Sequence, residues 1–323
     1  MMTRIVRISG ELAARLWASV LVALTLLFVS ATAGATLFDN IFVFGDSNSD
    51  TGRRLELEGR PVSPPYYQGR HSNGAVAVEY LASSLGLGLS PASNSFAVGG
   101  ALTGHGNVDT SHNNVLAATG MLDQFQTFKG LVGGVANPNA LYFIWGGGND
   151  ITQCGGVSCT SAQLSAIVSN LTTLVADLSG LGARHFMVVN DYGGNSAARS
   201  FDAMLLRAVQ SLDSQGEDVA LFDARSVLLS MIVPNNPYGF TNTSSAAPCY
   251  TGDLNGVGGS VCDDPSQYVF WDPEGHLTAR ANAILGNAMT LSVIPEPGAV
   301  LLLCTALIAL GWVAKRGTSV AES

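Results

Sequence analysis

Basic side chains are scarce in this chain. Its 323 residues carry 15 Lys and Arg against 24 Asp and Glu, and charged residues of both signs make up only 12% of the whole. Between residues 36 and 294 the imbalance widens to 10 basic against 21 acidic side chains. A surface of that sign repels phosphate backbones, which argues against a nucleic-acid partner. The same central stretch has no long apolar run, so nothing in it marks a lid for a lipid substrate. Histidine is rare, 5 in all, and none stands near the cysteines at a zinc-like spacing. Internal repeats are absent. Glycine is plentiful, 37 residues, and together with the low charge it suggests a loop-rich exported protein.

Long apolar runs are confined to the two ends. Arg4, Arg7 and Arg15 precede a run from Leu16 to Val29, and Ala33-Gly34-Ala35 follows with small residues at the positions signal peptidase reads. The run is short for a retained anchor, so residues 1–35 read as a signal peptide cleaved after Ala35. At the other end, Pro295-Glu296-Pro297-Gly298 leads into an apolar stretch from Ala299 to Ala314, then Lys315 and Arg316. That stretch is barely long enough to cross a bilayer core, and the basic pair favours a cytoplasmic tail. Residues 295–323 resemble the bacterial PEP-CTERM sorting signal. The resemblance implies transient anchoring by a membrane helix at about 299–314 and processing by an exosortase in a Gram-negative cell that makes exopolysaccharide. The tail from Gly317 to Ser323 is longer and less basic than that pattern leads one to expect.

Residues 36–294 remain, a length that suits one α/β domain. Of five cysteines, Cys304 lies in the C-terminal apolar run, and the other four form two local pairs, Cys154/Cys159 and Cys249/Cys262. An even number in an exported chain reads as disulfides, with the local pairing the simplest of three.

Four short runs are continuously apolar and stop at a polar or glycine turn: Ile41 to Phe44, Leu141 to Trp145, His185 to Val189 and Val219 to Phe222. Unbroken apolar runs are what strands show when both sheet faces are covered. Between them, Leu164, Ile167, Val168, Leu171, Leu174, Val175 and Leu178 recur at helical spacing after a cap at Thr160 or Ser161. Ala197 to Ser214 and Thr278 to Met289 are further helices. Alternating strands and helices predict a doubly wound parallel sheet, with chemistry at the carboxyl ends of its strands. Pro234 to Gln267 has neither period and reads as a long loop held by Cys249 and Cys262.

Four features fall at such strand ends or loops. Ser47, in Phe44-Gly45-Asp46-Ser47-Asn48-Ser49-Asp50, follows the first strand; it reads either as an exposed nucleophile at a helix N-terminus or as a plain helix cap. Gly99-Gly100 can turn a backbone N–H toward a substrate oxygen. Asn149, in Gly146-Gly147-Gly148-Asn149-Asp150, can offer a side-chain N–H there. Asp272 and His276, in Asp272-Pro273-Glu274-Gly275-His276-Leu277-Thr278, are close enough to be orienter and base.

In this order, across residues 44–278, the four features resemble the GDSL family of SGNH hydrolases. The resemblance implies a three-layer α/β/α sandwich with a flavodoxin-like doubly wound parallel sheet, and hydrolysis of acyl esters by a cofactor-free lipase or esterase. It makes Ser47 the nucleophile and first oxyanion donor, Gly100 (or Gly99) the second and Asn149 the third. His276 becomes the base and Asp272 its acid. The family writes Asp-x-x-His, and this chain is one residue longer, which keeps Glu274, and Asp263 or Asp264 from the disulfide loop, as rival acids; Gly275 is placed to absorb the insertion. His71, His105, His112 and His185 read as structural or solvated. Asp253-Leu254-Asn255-Gly256 reads as a β-turn before a calcium turn. A carbohydrate O-acetyl esterase and a catalytically inactive surface protein are the alternative functions.

Overall fold

A computed structural model describes residues 37–110 and 114–294. The expected leader at 1–35, the expected sorting segment at 295–323 and His112 lie outside the described residues. The four apolar runs are strands: β1 (Asn40–Gly45), β2 (Ala140–Trp145), β3 (His185–Val189) and β4 (Asp218–Phe222). They pair in parallel in that order, Asn40 opposite Ala140, Leu141 opposite His185, and His185 opposite Asp218.

A fifth strand position lies on the other side of β1. The N–H of Val43 donates to the Asn94 carbonyl at 2.8 Å, that of Phe96 to the Val43 carbonyl at 2.8 Å, and that of Val98 to the Gly45 carbonyl at 3.1 Å. Residues 94–98 therefore run parallel to β1, with a bridge between Val43 and Ser95. The second sheet segment in the chain sits outside the first, so the winding reverses between β1 and β2, and a crevice opens at their carboxyl ends. This is the expected doubly wound, flavodoxin-like arrangement. The extra strand leads directly into Gly99-Gly100 and is not among the four strands expected from the sequence.

Eight α-helices accompany the strands among the described residues: α1 (Arg53–Glu58), α2 (Ala77–Ser84), α3 (Met121–Leu131), the short α4 (Gly148–Gln153) after β2, α5 (Ser161–Gly180), α6 (Ser196–Ser214), α7 (Ala224–Ile232) and α8 (Ala279–Val293). Strand side chains alternate between two cores. Phe42, Phe44, Tyr142, Ile144, Phe186 and Val188 face α3, α5 and α6. Ile41, Val43, Leu141, Phe143, Met187 and Val189 face α2, α7 and α8. All six residues of β2 are buried, which is why the run shows no polar alternation. These are the three α/β/α layers.

Helix α5 begins with a capping box. Thr160 Oγ1 accepts the Gln163 N–H at 3.3 Å, and Gln163 Oε1 accepts the Thr160 N–H at 2.9 Å. All seven of its expected apolar positions are buried. Helix α8 runs past Met289 to Val293. The cysteines pair locally, Cys154 with Cys159 and Cys249 with Cys262. Asp253 closes a plain turn, its Oδ1 accepting the N–H groups of Asn255 (3.0 Å) and Val257 (2.7 Å). Among the described residues, no group of three His, Cys, Asp or Glu is arranged to hold a metal, and no helix is long and apolar enough to cross a membrane.

Candidate active site

Ser47 stands just past β1 in a tight turn closed by the Ser49 N–H on the Asp46 carbonyl at 3.1 Å. Helix α1 starts only at Arg53, and Gly52 occupies its cap position. Ser47 is thus neither a helix cap nor at a helix N-terminus, which corrects the helix placement in both local readings of it and leaves its candidacy as a nucleophile untouched. Its neighbours build the turn. Asp50 Oδ1 accepts the N–H of Gly52 (2.8 Å) and Arg53 (2.7 Å), and its Oδ2 accepts that of Gly99 at 2.7 Å. Asp46 Oδ1 accepts both the backbone N–H and the side-chain amide of Asn48. Burial pushes Asp46 up to about 7, against the Asn48 N–H and the charge of His276. Burial likewise lifts Asp50 to about 6, against its four backbone donors.

The hydroxyl of Ser47 lies 2.7 Å from His276 Nε2, and His276 Nδ1 lies 2.7 Å from Asp272 Oδ2. The extra residue between Asp272 and His276 is taken up in a turn. The Gly275 N–H donates to the Asp272 carbonyl at 3.0 Å, with Gly275 in the left-handed region at φ +89°. Around it, the Trp271 N–H donates to the His276 carbonyl, and Phe270 pairs with Leu277. Asp272 Oδ1 accepts the N–H groups of Glu274 (3.1 Å) and His276 (3.2 Å). Asp272 is fully buried, whereas Glu274 is exposed and Asp264 bonds Ser266. Asp272 is therefore the carboxylate on the imidazole. Burial would raise its carboxyl, but the His276 charge and the hydrogen bonds from His276 and Tyr66 outweigh this and hold it below its ordinary value. Burial would lower His276; the charge and hydrogen bond of Asp272 outweigh that and hold it above.

Both glycine and asparagine candidates line the same cleft, an open volume of about 560 Å³ that also takes in Ser47 and His276. The Gly99 N–H is spent on Asp50, while the Gly100 and Ser47 N–H groups have no acceptor among the described residues. Gly100, at φ +83°, is thus the one of the pair able to offer an N–H to a substrate oxygen. Asn149 Nδ2 donates one hydrogen to the Ala101 carbonyl at 3.1 Å, which orients the amide and leaves its second hydrogen for a ligand. Asp150 clamps the opposing loop through the Thr103 N–H and hydroxyl (3.0 and 2.8 Å).

Two side chains with no site role expected from the sequence, Tyr66 and His71, belong to the site. Tyr66 donates to Asp272 Oδ2 at 2.8 Å. His71, expected to be structural or solvated, is 3% exposed, lines the cleft, and has its ring 4.9 Å from that of His276. Burial and the neighbouring charges of His276 and Arg54 hold it well below the usual histidine value, so it is neutral. Neither residue sits in a motif; only the folding of residues 59–76 against the last loop brings them here. His105 and His185 pair with Asp123 and Asp218 away from the cleft.

A doubly wound sheet, with a hydrogen-bonded serine, histidine and aspartate and spare N–H groups at its carboxyl edge, is an arrangement suited to a serine hydrolase, and the family and relatives of the chain make the class an ester-bond hydrolase. The chain belongs to the GDSL-like Lipase/Acylhydrolase family, whose match covers residues 41–289 and so spans every residue of the site. It is 29% identical over 294 residues to a phosphatidylcholine-sterol acyltransferase of Aeromonas hydrophila, covering 84% of each chain. It is 27% identical over 350 residues to the GDSL esterase/lipase LIP-4 of Arabidopsis thaliana, covering 86% of this chain and 94% of that one. A solved structure, the Clostridium thermocellum family 3 carbohydrate esterase, aligns with a TM-score of 0.36 at 14% identity, over 77% of this chain and 92% of that one.

Proposed function

We propose that the protein is an exported serine esterase or lipase that hydrolyses carboxylic esters. His276 Nε2 takes the proton of Ser47 Oγ as that oxygen attacks the ester carbonyl carbon. The oxyanion that forms is met by the N–H groups of Ser47 and Gly100 and by the Asn149 amide. Its collapse expels the alcohol, which leaves with the proton from His276. A water molecule, deprotonated by His276, then frees the acid and restores Ser47. Asp272 orients the imidazole and stabilises the imidazolium. The observation that carries this reading is the unbroken chain Ser47–His276–Asp272, both links at 2.7 Å. It also weighs against an inactive surface protein. Ser47→Ala should abolish hydrolysis of a short-chain nitrophenyl ester in a folded protein; retained activity would remove Ser47 from the mechanism.

The cleft favours a second reading for the substrate. Its walls carry Asn48, Thr152, Gln153, Asp191, Asn195 and Asn255 against three aliphatic side chains, Val108, Ile151 and Leu254. Such a lining offers polar partners to a polyhydroxy alcohol, as in a carbohydrate O-acetyl esterase, whereas a long acyl chain gains about 0.8 kcal/mol only for each methylene it buries against apolar wall. A panel crossing acyl length with acetylated sugars decides it: rates that rise with chain length on simple alcohols reject the sugar reading. Export is supported by the leader at 1–35, and transient anchoring with exosortase processing by residues 295–323. The mass of the mature protein checks this, a start at Thr36 being expected and retention of the leader contradicting it.

A further inference from the structure

We infer that Tyr66 is a positioning residue of the reaction, its hydroxyl holding the Asp272 carboxylate, and through it the His276 ring, in reactive geometry. The inference rests on the serine mechanism above. Tyr66 donates to Asp272 Oδ2 at 2.8 Å, and the same oxygen takes His276 Nδ1 at 2.7 Å. The other oxygen, Oδ1, takes two backbone N–H groups. The carboxylate is fully buried, so these four donors replace all the water it would otherwise bind. Tyr66 is the one of them that does not belong to the loop of residues 272–276, so it fixes that loop from outside.

Its own placement is firmly determined. Tyr66 is 1% exposed and packs edge-on against Tyr250 and Trp271 at 5.5 and 6.4 Å. Tyr250 stacks on Trp271 and is tied to its carbonyl. The chain after Tyr66 is stitched to the segment after His276: Ser72 Oγ donates to the Leu277 carbonyl at 2.9 Å, and Asn73 Oδ1 accepts the Ala279 N–H at 2.8 Å. Burial and the Asp272 charge raise the phenol far above its ordinary value, so it donates at every working pH.

A donor on Asp272 Oδ2 draws off charge that would otherwise favour the imidazolium. Its removal should make His276 more basic as well as less well held. The groups facing this pair are His71, Asp46 and Glu274 at the imidazole, and Tyr192 and Tyr250 at the carboxylate. All are unchanged in Tyr66→Phe, which keeps the ring and its packing.

In purified protein, Tyr66→Phe should lower kcat about 10-fold, the scale on which outer supporting hydrogen bonds act, with KM little changed. The acid limb of kcat/KM should move up by roughly half a pH unit. Adding Tyr66→Phe to Asp272→Asn should cost little more, because the two act through one carboxylate. Trp271→Phe disturbs the same aromatic cluster without removing a donor from Asp272 and should leave the acid limb in place. A wild-type acid limb in Tyr66→Phe, or additive losses with Asp272→Asn, would overturn the inference. Those results leave the nucleophile untouched, whereas activity in Ser47→Ala would strike the mechanism itself.

Discussion

Gly100→Ala separates an oxyanion donor from an ordinary turn glycine. Gly100 sits at φ +83°, a conformation that costs an L residue about 1–2 kcal/mol. An added Cβ would lie 2.3 Å from Asn107 Oδ1 and 3.2 Å from Val108 Cγ2. Asn107 cannot swing aside cheaply. Its Nδ2 donates to the Gly99 carbonyl (3.0 Å) and to Thr119 Oγ1 (3.1 Å), and its Oδ1 accepts the Asp109 N–H at 2.9 Å. Relief must therefore come from the backbone at residues 99–101, which moves the Gly100 N–H off its aim. Loss of one such donor costs about 10²–10³ in kcat. The backbone strain of about 1–2 kcal/mol would by itself lower Tm by a few degrees in a domain of this size. Steady-state kinetics on a short-chain nitrophenyl ester should show kcat reduced on that scale with KM near wild type, while thermal unfolding still reports a folded protein. Wild-type kcat in a folded Gly100→Ala would refute the oxyanion role.

Two further perturbations follow from the same geometry. Asp46 has its carboxyl raised from 3.8 to about 7 by burial, so the folded state binds the proton more tightly than the unfolded chain between about pH 4 and 7. Stability falls as pH rises through that window and levels off above it; Asp46→Asn, which keeps an acceptor for Asn48, should raise Tm at pH 8 and leave it unchanged at pH 4, and an equal change at both pH values would contradict this. Removing the Cys249–Cys262 link should cost about 3 kcal/mol of stability. It should also lower activity, because the Cys249 and Tyr250 N–H groups bond the Phe270 and Trp271 carbonyls beside Asp272; full activity of the Cys249→Ser/Cys262→Ser protein would show that this loop does not support the site.

Burial on both faces made β1, β2 and β3 legible as unbroken apolar runs, and the edge strand β4 was legible from its run Val219 to Phe222 although Asp218 and Ala220 are exposed. Helices α5 and α6 were legible because a long amphipathic face repeats many times. Helices α1 and α4, at six residues each, leave too few turns for a period to register. The fifth strand position at residues 94–98 is held by three backbone hydrogen bonds to β1, and its short length and its polar and small residues, Asn94, Ser95 and Ala97, conceal it. In the site, Ser47, Gly100, Asn149 and His276 stand just past strands or beside glycines, where order along the chain reveals them. Asp272 was uncertain because spacing alone does not show that Gly275 turns left-handed and restores the reach. Tyr66 and His71 left no local sign, since their roles arise from contacts about 205 residues apart in sequence.

Ser47 Oγ is the attacking atom of the proposed mechanism, and covalent labelling reads that directly. Treatment of the purified protein with a fluorophosphonate, followed by peptide mapping, should place a single adduct on Ser47, with the rate of labelling falling as His276 is protonated. An adduct on another serine, or none on a folded protein, would contradict it.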